Sequence, residues 1–300
     1  MPSPFLYHLY TSLTLLILSL HHLISTTTRH HLSLSVPLHP LPTRHPLLRL
    51  LPHLSISLSL LLSILHHLSL SPLQDPLLPS HSFHSLTTSL ILFLFLALTF
   101  TLTLSELGAI TFPSDLAFAF GAAFFYLGYI GAVSLERAIE SSSGLEGKIE
   151  SISGLISVFC AGMCGLLAVN QRLFVVDLGL GAGVGLKGLW ALQTGLTLYV
   201  EGFIPEGCHR SLNVASGVEG ATKCELEESR VRAVALLDLM FVVYVGVVSV
   251  VVLLVYVLVG RCAGSSKRFS GGNGVGSYEA LPVSGETNVI QLKTLSGTQA

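Results

Sequence analysis

The stretch DLGLGAGVGLKGLW, residues 177–190, decides the reading of the chain. Gly183, Gly185 and Gly188 match G-x-G-x-x-G, the pattern that cradles a pyrophosphate when it follows a strand and opens a helix. Here the glycines lie inside an apolar run of 28 residues, Leu173 to Val200, with neither a preceding strand nor a turn. The glycines are therefore assigned to packing rather than to a nucleotide loop. Gly181, Gly185, Gly188 and Gly195 recur at helical spacing and form one smooth face, of the kind that lets a neighbouring helix backbone approach closely in a membrane.

The rest of the chain supports a lipid setting. Charged residues are 11% of the 300 and hydrophobic residues 51%, and the mean hydropathy is +0.72. Crossing a hydrocarbon core of about 30 Å takes roughly 20 mostly apolar helical residues. Seven stretches qualify: 5–24, 47–70, 83–104, 116–133, 152–169, 173–200 and 233–259. The segments between them collect Pro, Ser, Gly and charge, as in LSPLQDPLLPSHS at 70–82. The expected fold is all-α, a polytopic integral membrane protein of about seven helices over 1–259, followed by a Gly- and Ser-rich tail, 260–300, that reads as disordered and cytosolic. The bilayer is the expected partner. A net charge of -2 without clustered Lys and Arg excludes nucleic acid.

Orientation follows from the basic residues. None precedes the first helix, and Arg29, Arg44 and Arg49 follow it, which places the N-terminus outside or in a lumen and the C-terminus in the cytosol. The full count is closer: eight Lys and Arg fall in the cytosol, six outside, and Lys187 stays in the membrane. A plasma membrane and an endomembrane both fit this reading. No signal-peptide cleavage site follows the first apolar stretch, which is read as a retained helix.

Ionisable groups inside lipid cost several kcal/mol, of order ~3, unless paired, hydrated or able to reach the interface. Asp177 and Lys187 are about 80° and roughly 15 Å apart on one helix, too far for an ion pair. Asp177 is expected to reach water at its helix end, and Asp238 is the expected acidic partner of Lys187. Two readings stay open, a snorkelling lysine beside a satisfied aspartate and a gate or coupling site for ions.

Twelve of thirteen histidines fall in the first 84 residues, a bias that a pyrimidine-rich coding region would also produce. The topology sorts His8, His66, His67, His81 and His84 towards one face and His21, His22 and His53 towards the other. Imidazole is the commonest side-chain metal ligand, so His66, His81 and His84 are metal candidates. Interfacial histidines wetted by headgroup water are the plainer alternative. Cys208 and Cys224 enclose fifteen residues of a polar loop and are a disulfide candidate if that loop faces an oxidising compartment. Cys160 and Cys164 read as small core residues. In the tail, Tyr278 and Leu281 within YEALP fit the tyrosine-based pattern that sorting adaptors bind.

GLWALQTGLTLYVEGFIPEGCHRSL at 188–212 and SGVEGATKCELEESRVRAVALLDLMFVV at 216–243 resemble the plant branch of the transmembrane protein 45 family, also known as domain of unknown function 716. MPSPFLYHLYTSL, QRLFVVDLGLGAG, GSYEALP and GTQA are similar to the same branch. The resemblance implies a multipass protein of about seven helices, in a family of undefined biochemical activity with a loose association with stress or pathogen response. Many relatives carry a histidine-rich stretch just before a GLEGK-like segment. SLERAIESSSGLEGK, residues 134–148, has Glu136 and Glu140 there but no histidine, so any family metal site is incomplete, although those carboxylates and His84 remain candidates.

No activated serine or cysteine arrangement and no HExxH is present. The first expectation is a non-enzymatic membrane protein acting through partners or trafficking. A transporter or channel for ions, protons or small molecules is the alternative, motivated by Asp177, Lys187 and Asp238, and a metal-dependent membrane enzyme is the third. No cofactor is assigned. The glycine faces suit packing within one chain or between copies in a homo-oligomer.

Overall fold

A computed structural model describes residues 4–31, 46–70, 79–139, 144–213, 218–224 and 226–270. It contains seven helices: α1 (Pro4–His31), α2 (Pro46–Leu70), α3 (Pro79–Glu106), α4 (Ser114–Ile139), α5 (Gly144–Val169), α6 (Phe174–Tyr199) and α7 (Glu227–Ser270). Each is long and apolar enough to cross a membrane, so the protein is an all-α multipass membrane protein.

The helices outrun the apolar runs that announce them. In hydrocarbon a helix satisfies its own backbone, and the hydrogen-bonded ladder continues past the first charged side chain. Thus α1 reaches His31 and takes in Arg29, which the sequence placed in a loop. Similarly α5 starts at Gly144 and takes in Glu146, Lys148 and Glu150. The helical end of α7 at Ser270 corrects the expected start of the tail at 260, because Arg261, Ala263, Lys267 and Arg268 continue a helix readily. A glycine closes α3: Gly108 has φ +74°, Ala109 N–H reaches the Leu104 carbonyl at 3.0 Å, and Gly108 N–H reaches that of Ser105 at 3.0 Å. This left-handed cap satisfies carbonyls that would otherwise end unpaired.

The main contacts run α1–α2, α2–α3, α3–α4, α4–α5 and α5–α6, and α1 also lies along α6, so six helices close into a ring. Against this ring α7 is held by side chains rather than close backbone approach. Phe241 meets Trp190 edge-on at 6.0 Å, and Tyr244 Oη donates to Gln193 Oε1 at 2.7 Å. The apolar core, Leu145, Ile149, Ile152, Ile156, Cys160, Trp190, Ala233 and Leu237, sits where α5, α6 and α7 meet.

Burial runs opposite to a soluble protein. Ile17, Leu90, Val175 and Leu253 are among many exposed large apolar residues, whereas Ser12, Ser19, Thr26, Ser59, Ser63, Ser89 and Ser157 are buried. Lipid solvates the apolar outer surface, and buried hydroxyls hydrogen-bond within or between helices. Ser89 Oγ, for example, donates to Ser85 O at 2.9 Å.

Between α6 and α7 the chain forms an antiparallel pair, β1 (Cys208–Asn213) and β2 (Val218–Cys224). Cys208 faces Cys224, and the register slips between Arg210 and Leu212. No alternating apolar pattern marks this stretch, so the strand pair adds to the expected all-helical plan. Its location defines a ribbon face, where α1, α3, α5 and α7 begin, and an opposite face, where they end.

Candidate functional site

The glycine face of α6 receives α1. A Cβ added at Gly181 would lie 2.9 Å from both His22 and Leu23, one at Gly185 2.6 Å from Ser19 Oγ, one at Gly188 3.1 Å from Leu15 Cβ, and one at Gly195 2.7 Å from His8 Cβ. Gly183 points elsewhere, with Cys160 Sγ of α5 at 2.7 Å. The face assigned to close packing is therefore occupied within the chain. Ser19 Oγ donates to the Gly181 carbonyl at 2.7 Å across this seam.

Lys187 is the fourteenth of 26 residues in α6, about 20 Å along its axis and near mid-membrane. Its Nζ donates to Ser157 Oγ at 2.6 Å, to Ser153 Oγ at 3.4 Å and to the Ser153 carbonyl at 3.4 Å. Ser157 Oγ spends its own proton on Ser153 O at 3.0 Å, so towards Lys187 it is an acceptor. Glu150 precedes these serines on the same face of α5. This corrects the expected pairing with Asp238. That residue binds Lys148 Nζ at 2.8 Å and is half exposed. The reason is rotational: Lys187 faces α5, while α6 meets α7 through Trp190 and Gln193.

Asp177 does not reach water. It is 5% exposed, and three α1 residues hold it: His22 Nε2 at 2.9 Å from Oδ1, Thr26 Oγ1 donating to Oδ2 at 2.8 Å and Arg29 Nη2 at 3.6 Å from Oδ2. Arg29 also donates to Thr26 Oγ1 at 3.2 Å. With α1 pressed onto the glycines, these side chains cover the carboxylate. The second polar centre therefore clasps α1 to α6 at the opposite face.

Towards the ribbon face the histidines gather around Tyr7. Its ring stacks on His66 at 3.8 Å, and its Oη lies 3.3 Å from His67 Nε2. The adjacent histidines thus both reach one tyrosine, although they point about 100° apart on a helix. His84 Nε2 lies 3.4 Å from Thr88 Oγ1, and Glu136 lies beside Gly147 of α5. Among the described residues no three His, Cys, Asp or Glu side chains converge with metal-binding geometry. The side chain of His81 and all of Glu140, Tyr278 and Leu281 lie outside the described residues.

Cys208 and Cys224 are joined by a disulfide, tying the strands where they leave α6 and approach α7. Cys160 and Cys164 are buried free thiols, and Cys262 is an exposed one.

Residues 114–257 match the model of a family of unknown function, DUF716. No curated protein matches the chain. The DUF716 region runs from the start of α4 into α7. It therefore contains Glu150, Ser153, Ser157, Asp177 and Lys187, whereas Tyr7, Ser19, His22, Thr26, Arg29, His66 and His67 come from α1 and α2, before it begins. The Lys187 centre therefore lies wholly within the matched region, whereas the Asp177 clasp joins it to α1.

Glu150, Ser153, Ser157, Tyr7 and Arg29 escaped the sequence reading. The available signal was Glu150-x-x-Ser153-x-x-x-Ser157, a polar stripe at i, i+3 and i+7 entering an apolar helix.

Proposed function

We propose that this multipass membrane protein is a non-enzymatic transporter or channel for protons or small ions, with Lys187 and Glu150 at its centre. One observation carries the reading: the lysine at mid-membrane turns into the bundle onto Ser153 and Ser157 instead of extending to an interface. Intramembrane charges that face the interior of a helix bundle mark ion paths and proton relays. The Asp177–His22–Arg29 clasp ties the same helix, α6, to α1 nearer the opposite face.

The test is reconstitution in liposomes containing a pH-sensitive dye, with parallel sodium, potassium and chloride gradients. Wild type should dissipate one of these gradients faster than protein-free vesicles, and Lys187→Ala, at equal incorporation, should fall to the protein-free rate. Wild-type flux at the protein-free rate for all four ions would overturn the proposal.

We further propose that the ribbon face is external or lumenal and that the C-terminus is cytosolic, in a plasma membrane or endomembrane. The disulfide at the ribbon supports this, since such bonds persist in oxidising compartments. So do the free Cys262 and the nearby Arg261 towards the other end of α7. The plant branch of the transmembrane protein 45 family, a link to stress or pathogen response, and an adaptor at Tyr278 and Leu281 belong to the same proposal and rest on sequence resemblance and pattern.

A further inference from the structure

Around Lys187 Nζ stand a main-chain carbonyl, Ser153 O, and two hydroxyl oxygens, Ser153 Oγ and Ser157 Oγ, with Glu150 one turn earlier on the same face of α5. Three acceptors match the three N–H donors of an ammonium group. The Ser153 carbonyl can only accept, and the Ser157 hydroxyl proton is already committed to it. The chemistry of this shell is that of a hard-cation site: neutral oxygens from backbone and side chains, with a carboxyl side chain one turn away on the same helix face.

From this geometry we infer that the Lys187 ammonium is a tethered cation, seated in an oxygen site that otherwise suits a free monovalent metal ion, sodium or potassium. The inference deepens the transport reading above and rests on it for its functional meaning. A site whose cation is covalently attached changes charge by exchanging a proton rather than a metal ion. When Nζ gives one proton to water, the amine becomes neutral and one acceptor loses its donor. The species coupled to this centre is then the proton, and sodium is not required. The titratable groups acting on Lys187 are Glu150 and Cys160, both on α5.

The test uses purified full-length protein in detergent, with thermal unfolding followed in sodium, potassium or choline chloride at matched ionic strength. Wild type and Lys187→Arg should unfold at the same temperature in all three salts. Lys187→Ala and Lys187→Gln remove the tethered charge and leave the oxygens. Each should be stabilised by sodium or potassium over choline, saturably and by about 2–4 °C. Adding Glu150→Gln to Lys187→Ala should abolish that difference. Recovery of folded Lys187→Ala or Lys187→Gln only in sodium or potassium would also support the inference. Equal midpoints in all salts would overturn it, as would failure of both variants to fold in every salt. Because no flux is measured, this result is independent of the liposome assay: a cation effect without transport removes the transport reading alone, and transport without a cation effect removes the tethered-cation site alone.

Discussion

The α1–α6 seam makes a quantitative claim at Gly185. In Gly185→Ala the new methyl would stand 2.6 Å from Ser19 Oγ, whereas ordinary contact starts at 3.4 Å. Relief requires either that the helices part or that Ser19 rotates and abandons its bond to the Gly181 carbonyl. Overpacking costs about 1–3 kcal/mol, and the lost hydrogen bond adds about 1 kcal/mol. Ser19→Ala alone should cost only that ~1 kcal/mol. In the double variant the nearest atom left is Ser19 Cβ at 3.4 Å, where a methyl fits. The two losses should therefore fall short of adding by at least about 1 kcal/mol, a coupling within the range of directly contacting residues. Gly162→Ala is the matched control, since nothing lies within 4 Å of its added Cβ. The assay is thermal or denaturant unfolding of the four proteins in one detergent. Strict additivity, or equal costs at Gly185 and Gly162, would refute the claim that α1 rests on this glycine face.

Asp177→Asn keeps the shape of the opposite-face clasp but removes the charge that offsets Arg29, which is 8% exposed. Leaving a buried partner uncompensated costs about 3–5 kcal/mol, so the midpoint should drop sharply and recover in part with Arg29→Met; an unchanged midpoint would show that the pair is not buried in the folded protein. At the ribbon, a Cys208→Ser, Cys224→Ser double variant loses a cross-link whose fifteen-residue loop is worth about 3 kcal/mol in the chain-entropy model. That loss should appear as lower thermal stability, with wild-type mobility on gels shifting on reduction. Both cysteines reacting with a thiol label without prior reduction would exclude the bond.

The plan of seven crossings was legible because lipid imposes it one segment at a time: each apolar run must satisfy its own backbone, whatever its neighbours are. Cys208 and Cys224 could be paired by their spacing and setting. The smooth face at Gly181, Gly185, Gly188 and Gly195 followed from helical periodicity alone, although nothing local could name α1 as its occupant. Helix ends were less visible, because hydropathy stops at charge and hydrogen bonding does not. That difference hid Arg29 in an apparent loop and left Glu150 outside its helix.

What the sequence determined by itself is the solvent of this protein, the number of its crossings and the faces its helices carry. Only the tertiary structure decided which faces meet. Lys187 was expected to find Asp238 and instead found Ser153 and Ser157, and Asp177 was expected in water and instead holds His22, Thr26 and Arg29. A helix specifies the direction of a side chain relative to its own axis, a one-dimensional and periodic property. Its partner depends on the rotation and order of helices around the ring, which are set by packing among segments far apart in the chain.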